Sequence, residues 1–110
     1  MNLVPEFFPK ITAFEWDEGN SEKNWRRHQL LRAEAEQLFL NRPLVVVDDP
    51  GHSSTEPRFF ALGRTDKNRH LAAVFTLRGS LLRVISARPM SRKERSVYAQ
   101  AHRTEDDPAL

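Results

Sequence analysis

The strongest chemical bias in this 110-residue sequence lies in its arginines, which crowd into the second half. Eleven of the seventeen lysines and arginines fall between Arg58 and Arg103, opposed there only by Asp66 and Glu94. That span carries a net +9 and the rest of the chain −7, although the whole balances at +2. A solvated surface of mixed charge would satisfy the same count, but one-sided clustering is the footprint of a surface that receives a polyanion. Nine of the eleven are arginine, and a planar guanidinium can bond two phosphate oxygens at once. The densest stretch holds Arg83, Arg88, Arg92, Lys93 and Arg95. Groups that could move a proton near neutrality are fewer. His28, His52, His70 and His102 have no shared spacing that suits a metal, so no metal site is expected. The absence of cysteine excludes disulfides and thiolate nucleophiles.

The elements that must position these groups belong to one domain, with a core over about 11–102, an extension at 1–10 and a tail at 103–110. Arg83-Val84-Ile85-Ser86-Ala87-Arg88 is β-branched with period two and predicts a half-buried strand. Pro89, which lacks a ladder donor, ends it. Ser91 and Glu94 stand at capping-box spacing, so a helix starts there and covers about Arg92 to His102. The cationic cluster thus sits on a strand-to-helix junction, and Glu94 takes a structural role. Strict alternation puts Arg83 and Arg88, five residues apart, on opposite sheet faces unless the strand end twists. Arg58 and Arg64 share a face with Phe60 and Leu62, but six residues separate them, too many for one phosphate.

Upstream, Ile11–Trp16 predicts a first strand with Phe14 and Trp16 on one face. Asp17 and Asn20 offer N-cap oxygens to a helix over about Glu18 to Leu30. Arg32 to Leu40 fits a second helix, stopped by Asn41 and Pro43. Leu44–Val47 reads as a strand, and Asp49–Ser54 as a polar loop. Arg58–Arg64, Leu71–Leu77 and Leu81–Arg88 read as three strands joined by short turns, hence an antiparallel meander. The predicted fold class is α+β: one antiparallel sheet with two N-terminal helices and one C-terminal helix. Trp16, Trp25, Phe39, Phe59, Phe60 and Phe75 read as core rather than as base-stacking platforms. Tyr98, amphipathic and near the basic junction, is the better stacking or hydrogen-bonding candidate. No signal peptide and no run of roughly 20 apolar residues is present, so a cytoplasmic chain with no membrane partner is expected.

In order and spacing, several pieces resemble the BrnT ribonuclease toxins of bacterial toxin–antitoxin pairs. They are Phe14-Glu15-Trp16-Asp17-Glu18, Asn24 with Arg27-His28, Glu34-Ala35 with Phe39, and Glu56-x-Arg58 leading to Ala61-Leu62-Gly63. Arg83–Arg88 and Glu94-Arg95-x-x-Tyr98 complete the set. Gln29 stands where that family usually has glycine, Arg27 where lysine is more usual, and the N-terminal extension is outside the pattern. The resemblance implies a RelE-like fold, RNA cleavage without metal or other cofactor, and neutralisation by a ribbon–helix–helix, BrnA-like antitoxin. Such an antitoxin would be dimeric, with promoter DNA bound only through it.

Metal-free RNA cleavage uses the adjacent 2′-OH as nucleophile, so a protein must move protons and stabilise charge on phosphorus. His28, the histidine inside a resembling motif, could accept or donate that proton, or could simply pack between helix and sheet. Arg58 and Arg88 are the favoured phosphate ligands. Arg83 joins them as a candidate catalytic group, with pairing to Glu56 or to a helix as its alternative. Lys23, Arg27, Arg64, Arg92 and Tyr98 are the expected RNA-binding residues. The same arginines would serve a nucleic-acid-binding module without catalysis, or a subunit that docks an acidic protein.

Overall fold

Alternating apolar residues make the strands of this chain, and two helices cover the opposite faces of the sheet they form. The structure, a computed structural model, describes residues 11–16, 18–48 and 57–106. Expectations placed on residues 1–10, Asp17, the Asp49–Ser54 loop, Glu56 and the last four residues lie outside these, as do the side chains of Asn20 and His102. In order, the elements are β1 (Ala13–Trp16), α1 (Glu18–His28), α2 (Arg32–Leu40), β2 (Val45–Asp48), β3 (Arg58–Arg64), β4 (His70–Arg78), β5 (Leu81–Pro89) and α3 (Arg92–Asp106). The strands form one sheet in the order β1-β5-β4-β3-β2. The α+β class is as expected.

The sheet is mixed, which corrects the expectation that it is wholly antiparallel. From β2 to β5 the pairing is antiparallel, enforced between β4 and β5 by a tight turn in which Gly79 takes φ +60°. β1 instead runs parallel to β5, with Ala13 opposite Leu81 and Trp16 opposite Val84. No hairpin joins these two strands, so tertiary packing of Phe14 and Trp16 against the core sets the direction.

On one face α2 buries Ala35, Leu38 and Phe39 against Ala61, Ala73, Phe75, Leu82, Val84 and Ala87. Phe39 meets Phe75 edge-on at 5.1 Å, an arrangement worth about 0.5–1.5 kcal/mol beyond its buried area. At Gly63 the helix comes so close that a Cβ would lie 2.6 Å from the Leu38 carbonyl oxygen. On the other face α3 places Tyr98 and Ala101 against Val45, Leu62 and Ala72. α3 continues to Asp106, past the expected end at His102. Trp25 departs from the expected core set: it is 47% exposed on α1. Among the described residues no helix is long and apolar enough to cross a membrane.

α1 ends at His28, two residues before the expected end at Leu30, and the break to α2 falls at Gln29. Gln29 takes φ 53°, the left-handed conformation in which a helix commonly ends on glycine. Arg69 braces the break from β4's entry, donating to the His28 carbonyl (2.6 Å), the Gln29 carbonyl (3.1 Å) and Glu34 (3.2 Å). The left-handed state costs a side chain with a Cβ about 1–2 kcal/mol, while glycine loses about 0.4–1 kcal/mol more entropy on folding. Gln29 is exposed, so little packing is lost. Gln29→Gly should therefore raise stability by a net of about 0.5–1 kcal/mol, read as a higher urea midpoint at unchanged slope. A lower midpoint would show that the glutamine side chain stabilises the break.

Candidate active-site cleft

β1 is shorter than β5 and ends opposite Val84. Beyond it α1 packs against β5, leaving an open cleft of about 340 Å³ lined by Lys23, Arg27, His28 and the Ile85–Arg88 segment. Lys23 and Arg27 are four residues apart and so share a helix face. Arg27 and His28 also lie in the last turn of α1, where positive charge complements the helix dipole. The structure therefore brings together four residues expected from sequence, Lys23, Arg27, His28 and Arg88. Among the described residues, every charged side chain in this lining is cationic.

The relation between the β5 arginines depends on a bulge. Val84 pairs with Phe75 and Ser86 with Val74, so Ile85 is an extra residue without a partner on β4. Arg83 then pairs with Thr76 and Arg88 with Ala72, four residues apart on β4. An even separation means one face, so Arg83 and Arg88 lie on the same side of the sheet, contrary to strict alternation. Their Cα atoms are about 13 Å apart along the strand. Arg58 also pairs with Thr76, which makes Arg58, Thr76 and Arg83 a row across three strands, the two arginines about 10 Å apart. This row and Arg88 occupy the face that carries α3.

Each β5 arginine has a carboxylate. Arg83 donates to Glu15 on β1 at 3.0 Å, and Arg78 approaches the same oxygen at 3.5 Å. Arg83 thus has a partner on β1, while the expected alternative of Glu56 lies outside the described residues. Arg88 bonds Glu94 through both terminal nitrogens, at 2.7 and 2.8 Å. Glu94 also accepts the Ser91 N–H at 2.8 Å, and Ser91 Oγ accepts the Glu94 N–H at 3.2 Å, completing the expected capping box. The hydrogen bonds from Arg88, reinforced by those from Ser91, hold the Glu94 carboxyl down at about 2. The carboxylate in turn raises the pKa of Arg88. Glu94 is more than a cap.

The remaining expected residues lie apart from the cleft lining. Arg64 ends β3 and donates through Nε to the Arg42 carbonyl at 2.9 Å, bracing the α2–β2 turn. Arg92 is exposed on the first turn of α3. Tyr98 is only 2% exposed; its hydroxyl donates to the Pro43 carbonyl at 2.7 Å and its ring packs at 5.3 Å from His70. The expectation of a stacking platform there is corrected: the ring is buried on both sides and its polar tip is satisfied inside the protein. Sequence reasoning did not single out Glu15, which receives Arg83, or Ser86, which lines the cleft. A signal for the bulge was present, since the apolar residues shift from Leu82 and Val84 to Ile85 and Ala87, from even positions to odd.

Residues 16–94 match the family described as "Ribonuclease toxin, BrnT, of type II toxin-antitoxin system". The fold is similar to the 1.1 Å crystal structure of the Brucella abortus ribonuclease toxin, BrnT, with a TM-score of 0.54. The two are 24% identical, over 74% of this chain and 99% of that one, a likeness of fold alone. No curated protein sequence matches the chain. The matched span of the family takes in both walls of the cleft, the arginine row and Glu94. The chain belongs to the BrnT family of ribonuclease toxins of type II toxin–antitoxin systems.

Proposed function

We propose that this chain is a cytoplasmic endoribonuclease toxin that cleaves RNA without a metal ion. The 2′-oxygen bonds to phosphorus while the bond to O5′ breaks, leaving a 2′,3′-cyclic phosphate and a 5′-hydroxyl. One proton leaves the 2′-OH and one reaches O5′; His28 takes part in this transfer. Arg88, Arg27 and Lys23 stabilise charge on the reacting phosphate, and Arg58 and Arg83 hold the strand further along the face. The observation that carries this reading is the convergence of Lys23, Arg27, His28 and Arg88 on one cleft.

A cognate antitoxin silences the toxin in this reading. It is a dimeric ribbon–helix–helix protein that carries any contact with promoter DNA, and its carboxylates pair with Arg58, Arg83 and Arg88. An apolar groove supports it: about 330 Å³ between β2 and α3, lined by Val45, Val47, Phe60, Leu62 and Val97, with Lys93 and Glu94 at its rim. Val47 and Val97 are 51% and 44% exposed there, apolar anchors waiting beside the cationic face. A second reading, RNA binding without catalysis, draws on the place of Arg27 and His28 in the last turn of α1, which the helix dipole alone would explain.

Incubating the purified protein with single-stranded RNA in EDTA separates the readings. Cleavage that persists and yields cyclic-phosphate ends is the expected result. Tight binding to intact RNA would favour the second reading, and activity that returns only with a divalent ion would overturn the metal-free mechanism.

A further inference from the structure

We propose that Glu94 is a positioning residue for Arg88, holding the guanidinium so that one donor edge stays turned to the phosphate in the cleft. The inference rests on the reading of that cleft as the RNA site and goes beyond it by assigning a carboxylate a part in the reaction. A guanidinium has five N–H donors. Two go to the Glu94 carboxylate, and Nη1 also donates to the Pro89 carbonyl at 3.2 Å. Nε–H and the second Nη2–H remain, and these two form the side-on fork that grips a phosphate through two oxygens. Engagement by Glu94 therefore leaves Arg88 its second bidentate edge.

The carboxylate is itself fixed. Ser91 N–H binds it, its side chain is 18% exposed against 45% for Arg88, and the linking segment is pinned where the buried Met90 donates its N–H to the His70 carbonyl at 3.1 Å. Charge neutralisation is not the whole effect, because a single acceptor would satisfy charge without fixing the plane of the guanidinium. Two parallel bonds fix both.

Glu94→Gln isolates this role, since glutamine at the same position still completes a capping box but offers Arg88 one acceptor and no charge. A misplacement of the reacting groups by about 1 Å can cost 10²-fold in rate, so kcat should fall by about 10- to 100-fold. The affinity for a short single-stranded RNA, read by fluorescence anisotropy, should fall with it. In an Arg88→Ala background the same substitution should change neither, because Glu94 then has nothing to orient. Ser91→Ala, which removes the other half of the cap, should lower the melting temperature and leave kcat and affinity unchanged.

Wild-type cleavage in the same assay decides the ribonuclease reading separately, and the anisotropy cycle tests the proposal even on RNA that stays intact. Glu94→Gln binding RNA as tightly as wild type or tighter would mean that the carboxylate competes with phosphate, and overturns the proposal. So would an equal loss in the Arg88→Ala background, or a loss of kcat in Ser91→Ala.

Discussion

Replacing His28 with alanine should slow RNA cleavage by about 10²- to 10⁴-fold, the range a positioned acid or base contributes. The side chain is half-buried at the end of α1 and lines the cleft beside Arg27 and Arg88. What the fold takes from this residue is its backbone: the carbonyl accepts the 2.6 Å hydrogen bond from Arg69, and alanine keeps that carbonyl. The helix should therefore close normally and thermal unfolding should change little, while the rate collapses. RNA affinity should fall far less than the rate, since Lys23, Arg27 and Arg88 still meet the phosphate. Single-turnover kinetics beside a binding isotherm measures that split. A variant with near-wild-type rates would move proton transfer to another group, and one that lost rate and fold together would make His28 a packing residue.

Arg88→Ala should reduce the cleavage rate by about 10²- to 10³-fold, the loss seen when one donor to the developing charge of a transition state is removed. It should leave a second signature, independent of RNA. Hydrogen bonds from Arg88 come first among the causes that hold Glu94 at about 2, against an ordinary 4.5. A carboxyl depressed in the folded state stabilises the protein fully above its unfolded pKa and loses that contribution as pH falls through the folded one. Wild type should therefore exceed Arg88→Ala in stability by a margin that is full above pH 4.5, shrinks on acidification and closes near pH 2. Urea unfolding of both proteins at neutral pH and near pH 3 measures the margin at two points on that curve. A margin independent of pH would mean that the variant loses packing rather than the ion pair.

Local chemistry made part of this legible in advance. The strand-to-helix junction needed only β-branched alternation, Pro89 and the Ser91–Glu94 spacing, all interactions within a few residues. The order of elements followed for the same reason. The direction of β1 did not, because its partner β5 lies some 70 residues further on and no turn links them. Tyr98 was misjudged because nothing local shows that the Pro43 carbonyl waits for its hydroxyl 55 residues away. Glu94 was seen as a cap and not as the holder of Arg88, since its second partner is reached only when β5 and α3 fold back on each other. In the cleft, His28, Arg27, Lys23 and Arg88 were all candidates, but their convergence depends on β1 being too short to occupy that part of β5.

Ile85 lets β5 absorb a change of length that a regular strand could not. Losing one codon at Ile85 would remove the bulge and leave Ser86, Ala87 and Arg88 opposite Val74, Ala73 and Ala72, with Arg88 still on the α3 face and Ala87 still in the core. The spacing of five between Arg83 and Arg88 is thus a property of the bulge, not of the chemistry the pair performs. A relative with an unbulged strand would reach the same arrangement with a spacing of four, and a comparison that aligned the two without a gap would set its second arginine against Ala87.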